Sequence, residues 1–500
     1  MTRDEEQDQT RAGPPAQFTS AQRWVLGLAA AGSFMAALDA MVVTTALETL
    51  RHELQASVTA LEWTVNAYSL SFAALLMTGA ALGDRFGRRR MYIFGLLLFA
   101  AASATCALAP DTAWLIAGRA VQGVGAALLM PLAMALLGAA FPPTQRARAL
   151  GLFSGITGLA VLSGPVLGGA VVHGLAWQWI FWINLPVALL VAALVRAKVA
   201  ADAWVWRGAR VPLDVRGAVL MTTALLGLVW GLVHGNGAGW GSVEVLASLG
   251  AGVVLGVAFV MSQRRRTHAM IPPRLFRSPV LAAGLTVSLL LTASLLGTLF
   301  FMAQFFQVTR GLSPLAAGAS MLPWTATLFF VAPVAGAMVR RVGERVLVVV
   351  GLTLQALGMA WLAMLARGDS VSVSSYAMWV LPLVLAGGGV SMAMPAAQSA
   401  VLAAVEPADM GKAAGLFNTS RQLGGVLGVA LCVAVFVRVG GYASAQQFDA
   451  GFSAALITTA VVSLAAAAMG LRLRGRQVNQ VNQTSNARSN PLHLSEGVKS

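Results

Sequence analysis

Charge is what this chain has least of. Only 11% of its 500 residues are charged, against about 25% in a soluble domain. Hydrophobic residues make up 57%, and mean hydropathy is +0.74. Soluble cores cannot hide that much apolar surface, so the class is an all-α polytopic membrane protein. Cysteine is nearly absent. Cys106 and Cys432 lie far apart in apolar runs, which excludes a disulfide framework or a cysteine metal site and leaves two small packing residues. There are 31 arginines and three lysines, a bias from which no function follows. No Walker motif occurs, so ATP hydrolysis is not indicated. "GVGAAL" (123–128) begins like a dinucleotide fingerprint but lies inside an apolar run. The five histidines join no catalytic or metal set. No enzyme, cofactor or metal is expected.

What is present is length without charge. Apolar runs of roughly 20 residues read as membrane helices. Fourteen occur, near 22–47, 60–83, 91–109, 113–136, 147–172, 178–197, 214–236, 243–262, 280–307, 314–339, 346–366, 377–400, 411–437 and 449–471. The chain divides into a polar tail (1–20), a six-helix bundle (21–198), a linker with two inserted helices (199–278), a second six-helix bundle (279–472) and a second polar tail (473–500). The tails read as disordered, and the first carries no cleavable leader. With the N-terminus inside, 28 of the 34 basic residues fall on inner segments and four on outer loops: Arg51, Arg310, Arg367 and Arg438. The remaining two, Arg119 and Arg421, lie within helices. That asymmetry puts both termini in the cytoplasm. The net charge of +15 therefore reports topology, and its dispersal over short loops excludes a nucleic-acid face.

The sequence also repeats. "ALGDRFGRRR" (81–90) resembles "AMVRRVGERV" (337–346) at an offset of 256, and "GLFSGITG" (151–158) resembles "GLFNTSRQ" (415–422) at 264. The extra length fits the two inserted helices. Two facing six-helix bundles place a substrate path at their interface.

Four motifs then accumulate. "AALGDRFGRRR" ends the second helix, with Asp84, Arg85, Gly87 and Arg88. "LIAGRAVQGVGAA" (115–127) lies in the fourth, with Arg119 and Gln122. "GPVLGG" (164–169) lies in the fifth, with Gly164, Pro165, Gly168 and Gly169. "LDAMVVTTALE" lies in the first, with Asp39. Together, from about 20 to 472, they resemble the major facilitator superfamily, and within it the fourteen-helix drug:proton antiporters of the EmrB/QacA type. Ala80 stands where the family's loop motif begins with glycine, and the usual asparagine and proline of the first motif are missing. The resemblance implies efflux of drugs or toxic metabolites by alternating access, with protons exchanged for small amphipathic cargo, cationic compounds among them. It implies a bacterial inner membrane and a protein functional as a monomer. An importer of small organic solutes and a non-transporting sensor are the alternatives. The resemblance also implies that Asp84 caps a neighbouring helix and latches the inner gate in one state, and that the fifth-helix motif marks export.

Asp39 is a lone carboxylate in an apolar helix, a position seldom tolerated without a purpose. It lies eight residues before Leu47 and so roughly 12 Å below the outer end of its helix, while Arg119 lies roughly 9 Å deep at about 1.5 Å per residue. The two charges share a depth. They either pair statically or serve as a proton-coupling site in which cargo and proton compete. Gln122, Met130, Gln307 and Arg421 are candidate cargo contacts. Glu62 and Asp214 lie near helix ends and read as wet, which leaves Asp39 the one deep acid. Trp63, Trp114, Trp177, Trp179, Trp182 and Trp240 read as interfacial anchors. The inserted pair has a direct check: reporter fusions after Gly235 should report outside and fusions after Thr267 inside, and the reverse pattern would remove it.

Overall fold

The structure, a computed structural model, describes residues 18–200, 214–264, 273–367, 376–406 and 409–473. The two tails expected to be disordered, most of the first inner linker and residues 265–272 lie outside the described residues. Helices account for nearly everything else, because a backbone in hydrocarbon must satisfy its own polar groups. The first set is α1 (Ser20–Glu53), α2 (Val58–Phe86), α3 (Arg88–Ala107), α4 (Thr112–Ala140), α5 (Pro143–Gly174) and α6 (Trp179–Lys198). The inserted pair is α7 (Val215–Ala238) and α8 (Val243–Arg264). The second set is α9 (Pro279–Val308), α10 (Pro314–Val339), α11 (Glu344–Arg367), α12 (Ala377–Ala403), α13 (Met410–Val439) and α14 (Ala445–Gly470). Thirteen of these are long and apolar enough to cross a membrane unaided. The fourteenth, α2, bends by 52° between Leu76 and Thr78 and counts as a span when its halves are joined.

Short polar side chains start the helices. Thr19, Ser57, Asp111, Asp214, Ser278, Ser313 and Ser444 each accept a backbone N–H of the first turn, satisfying donors that the helix cannot. Thr19 and Gln22 complete a reciprocal capping box. Asp214 is thus a cap, and it also accepts from Gln263. Between α2 and α3 the chain reverses on one residue, Gly87, at φ 100°; between α10 and α11 it reverses on Gly343 at φ 90°. Both backbones lie where glycine alone is unstrained. They stand 256 positions apart, the offset of the sequence repeat.

Helices α1–α6 pack on one another, as do α9–α14, and the sets meet through α2 on α13, α5 on α10 and α1 on α9. The end bearing the α1–α2 connection is termed outer, after the charge asymmetry. There the fit is tight. A side-chain carbon on Gly169 would collide with the Pro314 carbonyl, one on Gly318 with the Pro165 carbonyl, and one on Gly168 with Val42 and Thr45 of α1. Gln307 Nε2 donates to the Thr45 carbonyl at 3.1 Å. Arg51, held on Glu48 at 2.7 Å, lies 4.6 Å from the centre of the Tyr442 ring. Burial pushes the Tyr442 phenol up, with the Glu48 charge adding, so it stays a neutral donor to Gln304. Toward the inner end the fit disappears. Gly151, Gly155 and Gly158 of α5 have nothing within 4 Å of an added carbon. The two sets are therefore in close contact at the outer end, while the inner glycines of α5 meet no neighbour.

Two expectations need correction. Glu62 is not wet: it is fully buried on α2, where α2 packs on α13 beside Cys432. It lies only four residues into α2, but the neighbouring helices α7 and α13 cover that end. Asp39 is therefore not the single deep acid. Trp177 is not an interfacial anchor but is buried, edge-on to Phe181 at 6.3 Å, because the turn before α6 folds it inward. Trp114, Trp179 and Trp240 are exposed as expected. Cys106 and Cys432 are buried and unbonded.

Gly169→Val should hold α5 off α10 at a cost of about 1–3 kcal/mol of overpacking. The expected outcome is normal membrane insertion by immunoblot with resistance of an expressing host lost. Wild-type resistance would show that the close approach is dispensable.

Candidate functional site

Asp39 and Arg119 do meet. Arg119 of α4 donates through Nη1 to Asp39 Oδ2 of α1, and each side chain is 1% exposed. The pair is tied into the first helix set from every side. Gln122 Nε2 donates to Asp39 Oδ1 at 3.2 Å and to Ser103 Oγ of α3 at 2.7 Å. Its Oε1 accepts Arg119 Nη1 at 2.8 Å. The i, i+3 spacing on α4 puts these two side chains on one face. Arg119 Nε donates to the Thr64 carbonyl of α2 at 3.2 Å, and its guanidinium lies 4.4 Å from the Tyr68 ring centre and 5.8 Å from that of Phe181. Tyr68 Oη in turn donates to the Ala36 carbonyl of α1 at 3.0 Å.

One partner was missed in the sequence. Asn184 Nδ2 of α6 donates to Asp39 Oδ1 at 2.7 Å and to Ser103 Oγ at 3.4 Å. It lies within "WQWIFWINLP", an apolar run with two amides, Gln178 and Asn184, that the sequence does not tell apart. The amide's burial at 2% exposure is what distinguishes it, and burial is a tertiary fact. The cluster thus draws on α1, α2, α3, α4 and α6. The second set holds a neutral counterpart: Gln355 Nε2 donates to Ser294 Oγ at 2.9 Å, Ser463 Oγ to Gln355 Oε1 at 3.1 Å, and Thr298 Oγ1 to Thr459 Oγ1 at 3.0 Å.

The other candidates scatter. Gln307 sits on the outer seam and bridges the sets. Met130 is partly buried against the packing core. Arg421 on α13 is half-buried, its guanidinium 6.0 Å from the centre of its own helix's Phe417 ring, with no acid paired to it among the described residues. Asp84 reaches across the α2–α3 turn. Its Oδ1 accepts Arg88 Nε at 3.1 Å and Nη2 at 3.0 Å, while Arg88 Nη1 donates to the Ala135 carbonyl of α4 at 3.3 Å. In this arrangement the carboxylate holds Arg88, with no hydrogen bond to another helix among the described residues. Helix α13 begins instead beside Asp409, which is held by Arg274 at 2.9 Å and Lys412 at 3.2 Å. Arg85 lies over the Phe86 ring. Of the fifth-helix motif, Gly164 and Gly168 pack on α1, and Pro165 and Gly169 on α10.

A two-set helical membrane protein with a closely packed outer end and a charged cluster in one set defines a polytopic transporter class. The match is specific: the profile described as "Major Facilitator Superfamily" covers residues 29–429, with a second match over 329–499. The chain belongs to that superfamily and is a transporter, not an enzyme. It is 36% identical over 436 residues to the tetracenomycin C resistance and export protein of Streptomyces glaucescens, covering 86% of this chain and 79% of that one. It is 35% identical over 457 residues to the cephamycin export protein CmcT of Amycolatopsis lactamdurans, covering 90% and 92%. Among solved structures, a peptide transporter POT with bound sulfate superimposes with TM-score 0.65 at 18% identity over 94% of this chain and 99% of that one. The xylose transporter XylE from E. coli does so with 0.60 at 14% identity over 90% and 97%. These two speak to the fold alone.

Breaking a buried pair by removing one partner costs about 3–5 kcal/mol because the other charge is stranded. Arg119→Ala should therefore lower the melting temperature and the yield of folded protein, and adding Asp39→Asn should recover part of the loss. Asn184→Ala should cost about 1–3 kcal/mol. Thermal unfolding in detergent measures both, and unchanged stability in Arg119→Ala would mean that the pair carries no structural energy.

Proposed function

We propose that this chain exports small amphipathic toxic compounds across a bacterial inner membrane, with protons moving the other way and both termini in the cytoplasm. The observation that carries the reading is the Asp39–Arg119 pair, a titratable carboxylate held by movable hydrogen-bond donors inside one bundle of an alternating-access fold. The relatives named for export and resistance support the direction and the cargo class. The close outer contacts and the uncontacted inner glycines of α5 suit a conformation that loads cargo from the cytoplasm.

The mechanism follows from what a proton does to the cluster. With Asp39 charged, Arg119, Gln122 and Asn184 all converge on its oxygens. A proton on Asp39 removes the charge that holds them and leaves the guanidinium on the acceptors it already has, the Gln122 amide oxygen and the Thr64 carbonyl. Since those donors sit on α4 and α6 and the Thr64 carbonyl on α2, protonation loosens the hold of α4 and α6 on α1 and shifts it toward α2, which packs on α13 of the second set. Differential proton affinity of two states is the whole requirement for coupling. Asp84 and Arg88 act at the inner end: when the ends close, Asp84 is available to the opposing helix, and when they open it returns to Arg88.

Reconstituted vesicles with an imposed pH gradient test this. Asp39→Asn keeps size and hydrogen bonding but cannot ionise. It strands Arg119 and so should lower the melting temperature, and in the folded fraction gradient-driven export should be abolished. Asp39→Glu should keep partial activity with a shifted pH optimum. Full proton-driven export by well-folded Asp39→Asn would remove Asp39 from the coupling. Asp84→Asn should reach the membrane at wild-type level but transport poorly, and normal transport would leave the loop motif a topology signal alone.

A further inference from the structure

We propose a binding site for an anionic phospholipid where α1 begins and α6 ends. A cavity of about 420 Å³ lies there, lined by Ser20, Arg23, Trp24, Gly27 and Leu28. These residues form one stripe along α1 at i, i+3/i+4, i+7/i+8 spacing. The stripe is ordered by polarity. A hydroxyl and a guanidinium stand at the helix start, an indole follows, and a glycine and a leucine lie one turn deeper. Gly27 leaves the deep end open, with nothing within 4 Å of where a side-chain carbon would be. A second cation overhangs the cavity from α6: Lys198 Nζ is 5.7 Å from the centre of the Trp24 ring. The end of α6 is fixed, because Arg89 donates to the Arg196 carbonyl.

Arg23 and Lys198 are exposed, and neither pairs with an acid among the described residues. Two cations with no acid paired to them among the described residues, beside an exposed tryptophan at the membrane interface, suit a phosphodiester. The apolar end suits an acyl chain entering the hydrocarbon. A free phosphate would use the first half of the stripe and leave the second half without purpose, so the occupant is the lipid. The site lies away from the Asp39 cluster and is independent of the direction of transport.

Native mass spectrometry of the full chain in detergent tests it, with dioleoylphosphatidylglycerol and dioleoylphosphatidylcholine as probes. The anionic lipid should bind more tightly, by about fivefold per cation. Arg23→Gln combined with Lys198→Gln should bring the two lipids level. Gly27→Leu keeps both charges but fills the cleft, and should weaken both lipids. Thermal unfolding of each variant confirms folding. Equal retention of both lipids by the wild-type chain would overturn the site, as would an unchanged preference in the double variant or unchanged binding by Gly27→Leu. Loss of lipid preference in millimolar inorganic phosphate, with no dependence on Gly27, would make it a free-phosphate site and overturn the lipid assignment.

Discussion

Two opposite charges lodged among apolar helices must satisfy each other almost completely, and the first half of this molecule is arranged around that requirement. The effective cost of dehydrating each ion is several kcal/mol, recovered only when geometry and added hydrogen bonds are good. Here the recovery takes Gln122, Asn184 and Ser103, two carbonyl or ring contacts to α2, and five helices in all. A cluster satisfied this fully is rigid while charged. Its geometry converges on the single Asp39 charge and is sensitive to that charge's loss. The neutral amide and hydroxyl cluster of the second half has no such sensitivity. The duplicated architecture is thus symmetric in backbone and asymmetric in charge.

Glycine supplies the complementary constraint. In hydrocarbon, helix association rests on close packing more than on apolar burial, and small residues permit it. The outer half of α5 uses Gly164, Gly168 and Gly169 to approach α1 and α10, while glycines on its inner half touch nothing. One helix therefore carries both a clamped and a released surface. Alternating access needs contacts that can form at one end while absent at the other. Around the seam, Gln307, Arg51 and Tyr442 add polar links that lie within reach of outer water and so can break without stranding a charge in hydrocarbon.

Length, charge scarcity and the fourteen apolar runs determined that this is a polytopic helical protein, because no other arrangement hides such a chain. The arginine asymmetry set the expected orientation, and four motifs in order pointed to the family. The depth match between Asp39 and Arg119 was legible too, since helix rise converts sequence position into distance. What the sequence left open was lateral: which residues from other helices reach the same point. Asn184, Ser103 and Tyr68 join the cluster through helix rotation and neighbour choice, which rise per residue does not encode. Glu62 read as wet because four residues from a helix end usually means water. Only the packing of α7 and α13 over that end decided otherwise. Asp84 likewise had a motif but no fixed partner, since its partner depends on whether the inner ends are apart. Depth belongs to one helix and is written in one segment of sequence; adjacency belongs to several helices at once and exists only after they pack.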